Sequence, residues 1–301
     1  MQKRQHRVKE KKAMKIGISY DPFDNGRFAR FGEQRFAVIK ACGFDALDYS
    51  LAHTETALYT GSETEAEAFI RAEREAMTQA GLFVSQVHGP WRCPPTDFTE
   101  EDRAERLEKM RRSMRMTALL GCKNWVIHPI MPLGWEEIGT AEAEKTWKMN
   151  QMFLRKLLQT AKAYDLTICL ENMPFEKFSI SVPNTILRFV QEMDDAHLKI
   201  CFDTGHAAFY SGEKIGEAVR TLGDEIRVFH IHDTQRGQDL HLYPFMGVID
   251  WGDFAAALRD IHFEGVFSLE TAPSPKLSDE IFCESARLLA KCARQIILFQ
   301  A

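Results

Sequence analysis

Eight times along this 301-residue chain a short apolar run is followed by a longer amphipathic stretch, and that alternation leaves few folds open. The runs read as strands: Lys15 to Tyr20, Phe44 to Ser50, Leu82 to His88, Asn124 to His128, Thr167 to Glu171, Leu198 to Asp203, Arg227 to His232 and Val266 to Glu270. The stretches near Arg30 to Ala41, Glu63 to Ala80, Glu100 to Leu120, Ala141 to Tyr164, Asn184 to Met193, Ile215 to Leu222, Trp251 to Ile261 and Ser278 to Phe299 read as helices. Gly43, Gly81, Gly121, Gly223 and Gly265 each stand between a helix and the next strand, where a C-cap commonly takes a left-handed residue. Strict βα alternation predicts a parallel sheet. Eight units without a long interruption favour a closed (β/α)8 TIM barrel in a single domain over an open doubly wound sheet. No G-x-G-x-x-G follows the first strand, so a dinucleotide site has no support.

Composition narrows the partners. A formal charge of −5 supplies no basic field for nucleic acid or an anionic membrane, and no apolar stretch is long enough to serve as a signal peptide core or a membrane span. Seven well-spread cysteines without a C-x-x-C pair argue against a disulfide framework and for a reducing cytoplasm. Residues 1–13, dense in Lys and Arg, read as a disordered extension before a barrel domain spanning 14–301, and a translation start at Met14 is an equal reading to Met1. A homo-oligomer is compatible with such a barrel, but no residue points to an interface.

Buried parallel strands should be almost wholly apolar. These end in titratable side chains: His88, His128, Glu171, Asp203 followed by His206, His230 to Asp233, and Glu270. In a (β/α)8 barrel all those ends meet on one rim, the face that carries active sites. A lone histidine there is commonly a hydrogen-bonded mouth residue, and Asp203 before Thr204 and Gly205 reads equally as a helix N-cap. Glu171 and Glu270 resist a bland reading, because each follows four strand residues and burying an unpaired carboxylate costs several kcal/mol. Two glutamates, an aspartate and a histidine on one rim make a site for Mn²⁺, Mg²⁺, Co²⁺ or Zn²⁺. His230 and His232 share a strand face, so either can be the imidazole ligand, and Asp233 can simply begin the loop.

The segments LENMP, CFDTGHA, HIHD and SLET resemble the xylose isomerase-like barrel superfamily, in particular its sugar phosphate isomerase/epimerase group, over Met14 to about Gln300. The resemblance implies one divalent ion on Glu171, Asp203, His230 and Glu270, with His206 and Arg236 contacting substrate. It implies a metal-dependent isomerase or epimerase of a sugar, sugar phosphate or cyclitol. Glu171 and Glu270 would move the proton by way of a metal-stabilised enediolate, and dehydration is a nearby variant. The same superfamily holds endonuclease IV-type enzymes with three zinc ions, to whose extra ligands His88, His128, Asp239 and His241 are matches, with His206 a further candidate. Strand one ends in ISYDPF, which departs from that endonuclease pattern and disfavours cleavage of abasic DNA. In the isomerase or epimerase reading His88 and His128 are instead substrate-binding, and a non-catalytic sugar-binding barrel is the third reading. Trp91, Trp135, Phe175, Phe209 and Tyr243 are expected to wall the pocket.

Overall fold

The computed structural model describes residues 14–24, 27–91, 97–134, 140–211 and 214–299. The basic segment 1–13, Cys93 and Trp135 lie outside the described residues.

The strands are β1 (Ile16–Tyr20), β2 (Ala46–Ser50), β3 (Phe83–His88), β4 (Asn124–Ile127), β5 (Thr167–Glu171), β6 (Leu198–Asp203), β7 (Ile226–His230) and β8 (Phe267–Leu269). The helices are α1 (Arg35–Ala41), α2 (Ala57–Thr60), α3 (Glu63–Gln79), α4 (Glu100–Leu119), α5 (Ala141–Tyr164), α6 (Pro183–Met193), α7 (Thr204–Ser211), α8 (Ile215–Leu222), α9 (Trp251–Asp260) and α10 (Asp279–Leu298). All named strand pairs are parallel, in the order β7-β6-β5-β4-β3-β2-β1-β8. A single parallel bridge, Ile231 to Leu269, joins the two ends, with Ile231 N–H donating to the Ser268 carbonyl (2.9 Å) and Glu270 N–H to that of Ile231 (3.0 Å). The expected single-domain TIM barrel is what forms.

Alternation along each strand divides the apolar residues. Ile168, Leu170, Ile200, Phe202 and Phe229 join the large core beneath the helices, while Val126, Cys169, Cys201 and Val228 form a small cluster of their own inside the barrel. That inner plug of small side chains is the floor on which the polar layer stands.

Two register shifts aim residues into that layer. Between β2 and β3 the pairing skips Ser85, so that Asp48 faces Gln86, and between β6 and β7 it skips Arg227, so that Asp203 faces His230.

Differences from the expected elements are local. The short helices α2 and α7 were not anticipated, and β7 ends at His230, leaving His232 in the following loop. Gly43, Gly81, Gly121 and Gly223 do take positive φ, but after α9 His262 does so (φ 51) and Gly265 does not. There the glycine answers to packing instead, because a Cβ on Gly265 would lie 2.3 Å from the Phe263 ring.

Candidate metal centre

Glu171 closes β5, Asp203 closes β6, His230 closes β7 and Glu270 follows β8 by one residue, so four strands deliver four donors to one point. One donor atom from each lies within 4.8 Å of the others. His230 Nδ1 is 3.0 Å from Glu171 Oε1 and 3.3 Å from Glu270 Oε2. Glu171, Asp203 and His230 are buried, and Glu270 is partly so. Glu171 Oε2 and Glu270 Oε2 have no hydrogen-bond partner among the described residues, and three carboxylates share this space with one imidazole. Buried, unpartnered carboxylate oxygens in such number call for a cation, and this oxygen-rich set with one nitrogen fits a hard or borderline divalent ion.

Asp203 carries two duties. Its Oδ1 accepts from His206 N–H (2.6 Å) and so caps α7, as the bland reading has it, while Oδ2 lies 3.1 Å from His232 Nε2. Asn172, which sequence reasoning passed over, binds the Asp203 backbone at both ends, accepting from its N–H (2.7 Å) and donating to its carbonyl (3.0 Å). His230 and His232 are thereby told apart. The first faces the two glutamates; the second faces Asp203 and stacks on His241 with ring centres 4.1 Å apart.

A second ring of donors surrounds the first. His88 and His128 bring Nε2 to 3.5 and 3.2 Å from Glu171 Oε2, and together the three form a further donor group. His206 Nε2 lies 3.3 Å from Asp239 Oδ2, and His241 Nε2 lies 3.5 Å from Asp239 Oδ1. Asp239 and His241 ride on the long loop before α9, and Asp233 holds that loop. Its carboxylate accepts from Thr234 N–H (2.9 Å), Phe245 N–H (3.0 Å), Ile249 N–H (3.2 Å) and Trp251 Nε1–H (3.0 Å). Asp233 is thus an anchor rather than merely the start of a loop, and a Cβ on Gly247 would fall 2.1 Å from its Oδ1.

Gly205 has a comparable reason to be small, since a Cβ there would lie 1.9 Å from His232 Cε1. Helix propensity favours alanine by about 1 kcal/mol, but with the imidazole pinned the clash outweighs that gain. Gly205→Ala is expected to cost about 1–3 kcal/mol, read as an earlier urea midpoint in metal-free protein. A midpoint at or above wild type would show that the ring gives way.

Above the centre opens a cavity of about 490 Å³ lined by His88, His128, His206, Asp239 and His241, with Trp91, Phe175 and Phe209 among its aromatic walls. Tyr243 is not among them; its hydroxyl pairs with Ser285 Oγ at 2.9 Å. Arg236, expected to meet substrate, is exposed, and its guanidinium donates to the Tyr210 carbonyl (3.3 Å). No lysine or arginine lines the cavity among the described residues.

The fields in the site pull its groups apart. Burial works to raise the Glu171 carboxyl, but His230 and His128 outweigh it and hold it well below the usual range. Burial dominates at Glu270, with Glu171 and Asp203 adding to it, and the carboxyl rises to about 7. Burial pulls His128 down to about 4, whereas His206 is driven up to about 10 against its burial, chiefly by Asp203 and Asp239. Two neighbouring glutamates thus differ in proton affinity before any ligand arrives.

The family model for the xylose isomerase-like TIM barrel matches residues 36–292. The chain belongs to that family. Among curated relatives, a D-psicose 3-epimerase of Enterocloster bolteae is 26% identical over 267 residues, covering 85% of this chain and 82% of its own. A D-tagatose 3-epimerase-like protein matches with a TM-score of 0.70 at 22% identity (95% of this chain, 98% of that one). A D-psicose 3-epimerase in the presence of D-fructose matches with a TM-score of 0.73 at 17% identity (94% and 99%). The structural likenesses speak for the fold, and the curated relatives agree with the expectation of an isomerase-type enzyme. No helix among the described residues is long and apolar enough to cross a membrane.

Proposed function

We propose that this chain is a divalent-metal-dependent epimerase or isomerase of an unphosphorylated ketose or a closely related hydroxyketone. The observation that carries this reading is the pair Glu171 and Glu270. They reach one buried point from β5 and β8, with opposite shifts in proton affinity, under a cavity that no described cationic arginine or lysine lines. A divalent cation held by Glu171, Asp203, His230 and Glu270 would supply Lewis-acid polarisation of the substrate carbonyl.

The chain's own groups do the rest. Glu171, ionised, takes the proton from the carbon between carbonyl and hydroxyl and later gives it up to solvent; Glu270, arriving from the other side of β6 and β7, passes to that carbon a proton that it has taken from solvent. Return to the opposite face of that carbon inverts it. Return to the neighbouring carbon interconverts ketose and aldose. His206 donates to a sugar oxygen, and His88 and His128 at the far side of Glu171 meet another. Trp91, Phe175 and Phe209 present the apolar face of the ring with a wall and keep bulk water away.

A multi-zinc phosphodiesterase is the second reading, favoured by one observation. His88, His128 and Glu171 form one further donor group and Asp203, His206 and His232 another, each sharing a residue with the first. Metal analysis of replete protein, together with NMR of a ketose incubated in deuterated water, separates the two. One ion per chain and solvent deuterium at the inverted carbon are expected. Three ions with cleavage of abasic-site duplex, and no exchange into sugar, would replace the first reading by the second.

A further inference from the structure

Below the rim, β2 carries a carboxylate that the chemistry above does not use. Asp48 is 3% exposed, and its Oδ2 lies 2.9 Å from His230 Nε2, the ring nitrogen turned away from the two glutamates. The β2–β3 register shift sets Asp48 opposite Gln86, which is fully buried and donates from Nε2 to Asp48 Oδ2 (3.1 Å) and to the Phe229 carbonyl (3.1 Å). Ser85, the residue skipped by the shift, donates to the Leu47 carbonyl (3.1 Å) and so steadies the irregular pairing. His230 Nε2 and Asp48 Oδ1 have no aligned hydrogen-bond partner among the described residues, so the short contact between the two side chains is bent. Asp48 Oδ2 already accepts from Gln86, and the buried His230 Nε2 has this same oxygen within reach or remains unsatisfied at a cost.

We propose that Asp48 is the positioning residue of His230: held in place by Gln86, it accepts a hydrogen bond from the Nε2–H and so leaves the Nδ1 lone pair aimed at Glu171 and Glu270. An imidazole has one donor and one acceptor nitrogen when neutral, and the partner of the far nitrogen decides which is which. The inference rests on the four-residue centre being a metal site. The His88 ring stacked on His230, with centres 5.6 Å apart and planes at 11°, limits rotation but chooses no tautomer.

The test uses full-length protein labelled with ¹⁵N-histidine and loaded with Zn²⁺. Expected in wild type are a His230 ring bound through Nδ1 and a strongly deshielded Nε2 proton. Chelator competition gives affinities for Zn²⁺ alone. Asp48→Asn, which keeps an oxygen acceptor, is expected to lose several-fold and to retain the proton signal. Asp48→Leu is expected to lose roughly 10–100-fold and to shift that signal upfield. A role in folding alone would lower the melting temperature of Asp48→Leu without moving the resonance. Unchanged affinity and resonance in Asp48→Leu, or binding of wild-type His230 through Nε2, overturns the proposal while leaving the metal centre standing. Wild-type protein that binds no divalent ion removes the metal-centre reading and this inference with it. Should Asp48→Leu fail to fold, the wild-type spectrum and Asp48→Asn decide.

Discussion

Glu171→Gln is expected to leave a folded barrel whose ketose turnover has fallen about 10²–10⁴-fold or more. The substitution preserves shape at a fully buried position, so the barrel floor beneath it is untouched. It removes the more readily ionised of the two glutamates, and an amide cannot take a proton from carbon. It also replaces a carboxylate that faces His88, His128, His206 and His230 within 3.5 Å, so those imidazoles lose the charge that organises them. The measurements are kcat with a ketose substrate and, separately, sugar binding by calorimetry. Turnover equal to wild type excludes Glu171 as the base. Sugar binding by both proteins with turnover in neither turns the barrel into a binding protein rather than an enzyme.

The second large effect concerns the metal. His230→Ala is expected to weaken divalent-ion binding by more than the roughly 10–100-fold that losing a supporting partner costs. The loss removes the only nitrogen among the described residues that lies within 3.5 Å of both glutamates, and leaves the buried Asp48 carboxylate with Gln86 alone. Affinity in the wild type should also depend on pH with a definite sign. Glu270 titrates near 7, raised chiefly by burial, and only its ionised form can bind a cation. Below pH 7 a proton must leave for each ion bound, so apparent affinity falls about tenfold per unit as the pH drops. His230 sharpens this dependence. Burial works against its charge, but the Glu171, Glu270 and Asp48 carboxylates hold its proton affinity well above the usual value, so it too surrenders a proton on binding. Chelator competition at several pH values reads both points. Because His230 gives a slope of its own, a profile that does not steepen as the pH falls through about 7 would remove Glu270 from the ligand set.

The rim residues were legible because a buried strand has no cheap place for a carboxylate, and the convergence of strand ends follows from barrel topology alone. Asp48 and Gln86 offered the same signal in the middle of β2 and β3 and were missed. Attention to strand ends hid residues one layer deeper, and the register shift that pairs them is invisible in one-dimensional alternation. Asp233 illustrates another limit. Its four hydrogen bonds come from residues up to 18 positions ahead, and nothing near HIHD signals them, although Gly247 and Trp251 are the residues it requires. Arg236 keeps the family's spacing from His230, and here its exposed guanidinium donates to the Tyr210 carbonyl (3.3 Å).

The barrel wall closes at a single bridge, Ile231 to Leu269, whereas β8 is tied to β1 through three residue pairs. That sparse seam runs between His230 on one side and Glu270 on the other. A cation gripped by both residues would act as a rivet across that joint of the cylinder. Coordination proposed for the chemistry would then also keep the last strand from peeling away, and the occupancy of the site and the integrity of the wall would become one variable.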